Sequence, residues 1–320
     1  MTPSVRISRR RMARLETAFW IFLAACYFIF PEQLMLLTQI LIAGLFAVSL
    51  DIAIGYAGIL TLGHAVFFGL GAYAAGIIAK AGWGEPISAL AVAFALCAVV
   101  AYALSYLIVR VSELSQIMVT IAVVSVFAEA ANQATGLTGG SDGLQGVTVK
   151  PLLGYFHFDL WGRTGFVYTY IVVLSMFLLV RRLLQSPYGL ALLGIHDNAT
   201  RMRALGSPVD RRLRFGYTVS AALAGIAGAL LAQTTQFVGL DTFSIERSAS
   251  VLIILVLGGA GRLYGGLIGA IVYMTLHEVF ADLSPQYWMF WIGIFLMAIV
   301  MVGSGGILGG LSKLVKIERE

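Results

Sequence analysis

Apolar runs recur along the whole of this chain and decide what it can fold into. Bounded by charges or by Pro/Gly clusters, ten of them extend over Thr17–Phe30, Leu34–Ile54, Gly58–Ala81, Ile87–Val109, Ser115–Asn132, Gly165–Leu184, Phe215–Phe237, Ser248–Ala260, Tyr264–Ala281 and Tyr287–Leu308. A helix needs ~20 apolar residues to cross the hydrocarbon core of a bilayer, and most of these runs meet that length. Charged residues make up 12% of the 320, about half the ~25% of a soluble domain, so a single water-soluble fold is excluded. The 36 glycines exceed the usual ~7% share, and in lipid such a surplus lets helices approach closely. The expectation is an all-α, polytopic membrane bundle of eight to ten spans. The first and eighth runs are short enough to be tilted, kinked or re-entrant pieces.

The positions of the basic residues orient the bundle, because cytoplasmic loops retain an excess of Lys and Arg. With the N-terminus inside and the spans alternating, 17 of the 21 Lys and Arg fall on the inner side. The other 4 are Lys80, Lys150, Arg163 and Arg247. Both termini are therefore expected to be cytoplasmic, and the net charge of +5 reflects membrane orientation rather than nucleic-acid binding. The expected layout is a basic tail over 1–16, a transmembrane unit over 17–312 and a C-terminal tail over 313–320. Ser8-Arg9-Arg10-Arg11 and Leu23-Ala24-Ala25-Cys26 imitate export signals, but an uncleaved anchor span is the expectation for a chain that continues into nine more apolar runs. Cys26 and Cys97 both lie within apolar runs and read as small core residues.

Two long polar segments remain, on opposite sides. The outer one, 133–164, carries Gly139-Gly140-Ser141-Asp142-Gly143. This matches a nucleophile elbow in letters only, since the motif requires a strand-turn-helix setting and a histidine partner; a turn-rich loop is expected. The inner segment, 185–214, is more informative. Ser186-Pro187 has the form of a helix start and Gly206-Ser207-Pro208 that of a stop. Leu192, Ile195, Ala199 and Met202 are spaced to share one helical face, while His196, Asp197, Asn198, Thr200, Arg201 and Arg203 fall on the other. Asp197 and Arg201 stand at i, i+4. Such a helix either rests on lipid headgroups or docks a soluble partner.

Sequence motifs favour docking. Ser186-Pro187-Tyr188-Gly189-Leu190, Asp197-Asn198, Ala204-Leu205-Gly206 and the run Ser220–Leu230 resemble the coupling region of branched-chain amino acid ABC transporter permeases of the LivM type. Gly55-Tyr56-Ala57-Gly58, Leu62-Gly63-His64-Ala65, Gly71-Ala72-Tyr73, Thr138–Gly143, Gly258-Gly259 and Gly265–Ala270 match that family in the same order, so that the resemblance covers residues 33 to 309. It implies a permease of the bacterial inner membrane, working by alternating access. Its partners would be two cytoplasmic ABC ATPases, a second related permease, a periplasmic substrate-binding protein and membrane lipid. Ser186, Pro187, Gly189, His196, Asp197, Asn198, Arg201, Ala204, Leu205 and Gly206 would form the ATPase-coupling element. The cargo would be a branched-chain or other hydrophobic amino acid, with urea, short amides or small aromatic acids as alternatives.

No Gly-Lys-Ser, Gly-Lys-Thr, His-Glu-x-x-His or Cys-x-x-Cys occurs. Catalysis and metal binding are therefore not expected of this chain, and ATP and Mg would belong to the partner ATPase. Asp51, His64, Glu129, His277 and Glu278 fall within spans, where ionisable groups mark functional sites unless they snorkel or are satisfied in the core. If they served ion coupling, the chain would be a secondary transporter. Asp51, Tyr56, Thr61, His64 and Gly259 are the candidate pathway residues. They lie in or beside two glycine clusters, either of which reads as close packing or as exposed backbone along a substrate path.

Overall fold

The structure, a computed structural model, describes residues 3–151, 162–302 and 306. The middle of the outer loop, the end of the tenth predicted span and the C-terminal tail lie outside the described residues. Each of the ten predicted runs contains a helix, and among the described residues the only β pairing is an isolated bridge between Leu144 and Val238. The helices are α1 (Pro3–Ile29), α2 (Leu34–Asp51), α3 (His64–Lys80), α4 (Pro86–Ile108), α5 (Glu113–Gln133), the short α6 (Thr135–Thr138), α7 (Arg163–Leu184), α8 (Pro187–Asp197), α9 (Ala199–Ala204), α10 (Val209–Thr235), α11 (Ile245–Gly258), α12 (Gly265–Leu283) and α13 (Trp288–Val302). Six are long and apolar enough to cross a membrane unaided: α2 with its π-helical extension, α4, α5, α7, α10 and α12. Two shorter helices are also apolar, α3 and the Glu16–Ile29 part of α1, and the eighth and tenth runs carry the short helices α11 and α13. The basic N-terminal segment and the first apolar run form one continuous helix from Pro3.

The most buried helices, α2 and α10, form the axis of the bundle. On one side α3 and α4 pack against α10; on the other, α7, α11 and α12 pack against α2. Small residues make this possible. The buried positions of α4 are Pro86, Ala89, Ala93, Cys97, Ala101, Ser105 and Ile108, a seam at helical spacing that leaves its larger side chains facing outward. Where α3 crosses α10, a Cβ on Gly71 would overlap the carbonyl oxygen of Gly225, and one on Gly228 the carbonyl oxygen of Phe68. The backbones can touch only because neither glycine has a side chain. Cys97 donates from Sγ to the Phe67 carbonyl at 3.3 Å, and both cysteines are free and buried, as their apolar surroundings imply.

Polar residues tie helix ends together. Glu16 of α1 and Arg181 of α7 form a 2.7 Å ion pair, which places the start of the apolar part of α1 and the end of α7 at one end of the bundle. At the opposite end Gln233 of α10 bridges two helices. Its Oε1 accepts from the Tyr168 hydroxyl of α7 at 2.8 Å, and its Nε2 donates to the Pro86 carbonyl of α4 at 2.9 Å. The glycine-rich loop is docked there, through Leu144 N–H to the Val238 carbonyl at 2.8 Å. Gly139 and Gly143 have φ of 80° and 72°, values that admit glycine readily, so the segment is a folded turn with no nucleophile-elbow setting.

Candidate functional site

The predicted coupling residues form two helices, not one. The Ser186 hydroxyl accepts from Tyr188 N–H at 3.3 Å and Pro187 occupies the first turn, so α8 starts as the sequence implies. The chain then turns at Asn198, whose backbone is extended (φ −161°, ψ 95°). Asn198 Oδ1 accepts from Arg201 N–H at 2.8 Å and caps a second helix, α9. Because of this turn Asp197 and Arg201 are not one helical turn apart and make no ion pair; Arg203 pairs instead with Asp210 at 3.1 Å. The division into faces survives the turn. Leu192 and Ile195 are buried, Ala199 and Met202 half-buried, and His196, Asp197, Asn198, Thr200, Arg201 and Arg203 exposed. Gly206, at φ 79°, ends α9, with Ser207 N–H returning to the Met202 carbonyl at 3.1 Å. Ala204 and Leu205 are exposed, the leucine to 74%. A bulky apolar tip on a polar loop is thus left uncovered.

The loop is braced from behind. Gly189 lies against the Leu184 carbonyl so closely that a Cβ would overlap it, and the Tyr188 hydroxyl donates to the Arg212 carbonyl at 2.7 Å. Burial pushes the Tyr188 phenol above its ordinary pKa. His196 reaches the bundle itself: its Nδ1 is 3.0 Å from the position a Cβ on Gly58 would take. Gly58, at φ 70°, belongs to the break between α2 and α3.

That break is the second part of the site. After Asp51 the helix α2 widens into a π-helical turn, Ile52–Tyr56, and α3 does not begin until His64. The unpaired N–H groups at the start of α3 need partners, and other elements supply them. Ala65 N–H donates to Ser248 Oγ of α11 at 3.0 Å, Gly63 N–H to Thr61 Oγ1 at 3.0 Å and Leu62 N–H to Thr120 Oγ1 of α5 at 3.2 Å. His64 is fully buried, stacked on Phe46 with ring centres 5.6 Å apart. Its Nε2 lies 3.0 Å from Ser49 Oγ and 3.5 Å from Ser220 Oγ. The Ser49 hydroxyl donates to the Phe46 carbonyl at 2.6 Å, and the Ser220 hydroxyl donates to the Ser49 carbonyl. Both hydroxyl protons are therefore committed, so Nε2 carries the proton and donates to Ser49 Oγ. Nδ1 has no partner in the structure.

Two residues beyond Ser49 on α2, the fully buried Asp51 receives Gly261 N–H on Oδ1 at 2.6 Å, while its Oδ2 has no partner. Gly261 lies in the tight turn between α11 and α12, where Gly259 and Gly261 have φ of 106° and 76°. A Cβ on Gly55 would meet both Asp51 and Gly261, so the two predicted glycine clusters pack against each other here. Of the predicted pathway residues, Asp51 lies at this contact, Gly259 lies in the same turn as Gly261, half-buried Tyr56 closes the π turn, Thr61 lies within the break and His64 ends it. Glu129 and Glu278 are exposed on the bundle surface, and Glu129 accepts from Gln133 Nε2 at 2.8 Å. Sequence reasoning missed Ser49, Thr120, Ser220 and Ser248. Isolated hydroxyls in apolar runs are a weak signal, because most satisfy their own helix. Among the described residues no three His, Cys, Asp or Glu gather in a metal-binding group.

Six helices long and apolar enough to cross a membrane, a helix broken at buried polar residues and a loop packed onto that break fit a polytopic helical membrane protein. A family model described as the permease component of a branched-chain amino acid transport system matches residues 33–302, and the chain belongs to that family. It is 28% identical over 277 residues to the high-affinity branched-chain amino acid transport system permease protein LivM of Escherichia coli, an alignment covering 79% of this chain and 64% of that protein. With the LivM protein of Salmonella typhimurium it shares 27% over 287 residues, covering 83% and 67%. With a probable branched-chain amino acid transport permease protein LivH of Methanocaldococcus jannaschii it shares 26% over 167 residues, covering 52% and 50%. The chain thus spans about 64% of the length of the first of these relatives. No solved structure matches it.

Proposed function

We propose that this chain is a membrane-spanning subunit of an ATP-binding cassette importer for branched-chain or other hydrophobic amino acids, located in the bacterial inner membrane with both termini cytoplasmic. Two separate ATPases, which bind ATP and Mg, grip the α8–α9 loop. A second related permease completes the path, and a periplasmic binding protein delivers the cargo. The observation that carries this reading is the contact of His196 with Gly58, which joins the exposed loop to the break in the bundle. A rigid-body displacement of the loop by a partner is thereby passed to the π turn, to His64 and to the Asp51–Gly261 contact, and packed elements of this kind move between discrete arrangements. Family membership and the names of the LivM and LivH relatives support the cargo class.

The test is purification from native membranes in mild detergent, followed by uptake assays in reconstituted vesicles. Recovery of stoichiometric P-loop ATPases, and uptake that stops on ATP depletion but survives collapse of the proton gradient, are the expected results. Ala204→Asp, at the exposed tip, should release the ATPases while leaving membrane insertion intact; unchanged assembly would make the loop merely interfacial. The unpartnered Oδ2 of Asp51 favours one second reading, an ion-coupled secondary transporter. Uptake driven by a proton or Na⁺ gradient without ATP would establish that instead.

A further inference from the structure

Apart from the break, a cavity of about 370 Å³ lies between α2, α11 and α12. Its volume falls within the ~300–1,000 Å³ of small-ligand pockets. The lining is divided by chemistry. Ile42, Ala43, Phe46, Val251 and Ile254 form an apolar floor, and the Phe46 ring also stacks on His64, so the floor backs onto the buried polar network. Arg247 is the one Lys, Arg, Asp or Glu in the lining, which also holds the polar Gln39, Ser250, Tyr273 and His277. It stands on the first turn of α11, one residue before Ser248, whose Oγ accepts from Ala65 N–H at the start of α3.

Arg247 is held in a way that leaves it available. Its guanidinium carbon is 5.7 Å from the centre of the Phe68 ring, and one terminal nitrogen makes a 2.6 Å ion pair with Asp241, just outside the cavity. Both side chains keep solvent access, 38% for Arg247 and 63% for Asp241. An exposed pair of this kind adds little stability, and a guanidinium has five donors, so a ligand carboxylate can join or replace Asp241 at small cost. The two charges together match a ligand carrying both signs. At ~1.5 Å per residue, the seven positions from Arg247 to Ile254 span ~10 Å, room for a charged head and a short hydrocarbon tail but not for an acyl chain.

We infer that this cavity is a substrate site of the permease itself, taking an aliphatic α-amino acid as its zwitterion, with the carboxylate on Arg247, the ammonium on Asp241 and the side chain on the Ile42–Ile254 floor. The inference rests on the importer reading above and adds to it a cargo-binding role for this chain. It requires the permease, as well as the binding protein, to read the amino-acid head group.

The test uses the assembled transporter in proteoliposomes, with its binding protein saturating and L-leucine as probe. ATP-dependent leucine uptake by the wild type is measured first, and its absence would overturn the importer reading before any variant is made. Given that uptake, Arg247→Gln should lower the rate about 10- to 100-fold, the loss expected for a charge-assisted contact, with Arg247→Lys intermediate. Val251→Trp should have the same effect by filling the floor with no change of charge. Size-exclusion profiles of the complex should stay at wild type for all three. Wild-type uptake by both Arg247→Gln and Val251→Trp would overturn the site. So would loss of uptake accompanied by dissociation of the complex in all three variants, which would make the residues structural. A phospholipid that co-purifies with the wild type and is lost from Val251→Trp, with leucine uptake unchanged, would assign the cavity to lipid and refute the inference.

Discussion

Asp51→Ala removes a side chain that joins α2 to the α11–α12 turn by a hydrogen bond, and the structure sets the size of the effect. The Gly261 N–H, 2.6 Å from Oδ1, would be left in a half-buried turn without its acceptor. Stranding such a donor costs about 1–3 kcal/mol. At ~1.4 kcal/mol per tenfold change, the docked arrangement of the turn becomes about 5- to 150-fold less favoured. Asp51→Asn separates geometry from charge. The amide oxygen can accept the same N–H, and a neutral bond is about half as strong as a charge-assisted one, so this variant should stay within about 1 kcal/mol of the wild type. Thermal unfolding of the detergent-solubilised complex, followed by fluorescence-detected size exclusion, measures both, and vesicle uptake is recorded in parallel. The expected order of stability is wild type, then Asn, then Ala, with uptake preserved in Asn. An Ala variant as stable as the wild type would refute the clamp. An Asn variant that is stable but transports nothing would mean that the carboxylate's charge is used in transport, which the ion-coupled reading demands.

Two further effects follow from the same contacts. Ser248→Ala leaves Ala65 N–H at the start of α3 without its acceptor from α11, so a stability loss of about 1–2 kcal/mol is expected, with Ser248→Thr restoring it; thermal unfolding equal to the wild type would show that the α3 terminus does not depend on α11. Tyr188 predicts a pH effect whose sign is fixed by its burial. The phenol is held above its ordinary pKa in the folded protein, so the unfolded chain loses that proton first, near pH ~10. Stability from this group is full below that pH and is lost as pH rises above it. Comparing the alkaline unfolding limb of the wild type with that of Tyr188→Phe checks this, and identical slopes between pH 9 and 11 would refute it.

The existence and order of the apolar helices were legible in the amino-acid sequence because each depends on a local property, a run of apolar residues long enough to satisfy its own backbone in lipid. The start of α8 at Ser186-Pro187 and the end of α9 at Gly206 were legible for the same reason, since caps are local chemistry. The turn at Asn198 was not: the apolar spacing from Leu192 to Met202 fits one continuous helix, and only packing of α8 against α7, α10 and the π turn favours two shorter ones. The functional geometry lay further out of reach. Asp51 and Gly261, Ser49 and Ser220, Ala65 and Ser248, and Gly58 and His196 are each separated by more than a hundred residues, and a serine or glycine in an apolar run looks the same whether it packs locally or meets a distant helix. The sequence by itself determined that this chain spans a membrane as a glycine-rich helical bundle with a capped polar loop. Only the tertiary structure decided that the loop rests on the one broken helix and that the break is held by buried hydroxyls, an imidazole and a carboxylate, because hydrogen bonds across a bundle exist only once the helices have docked.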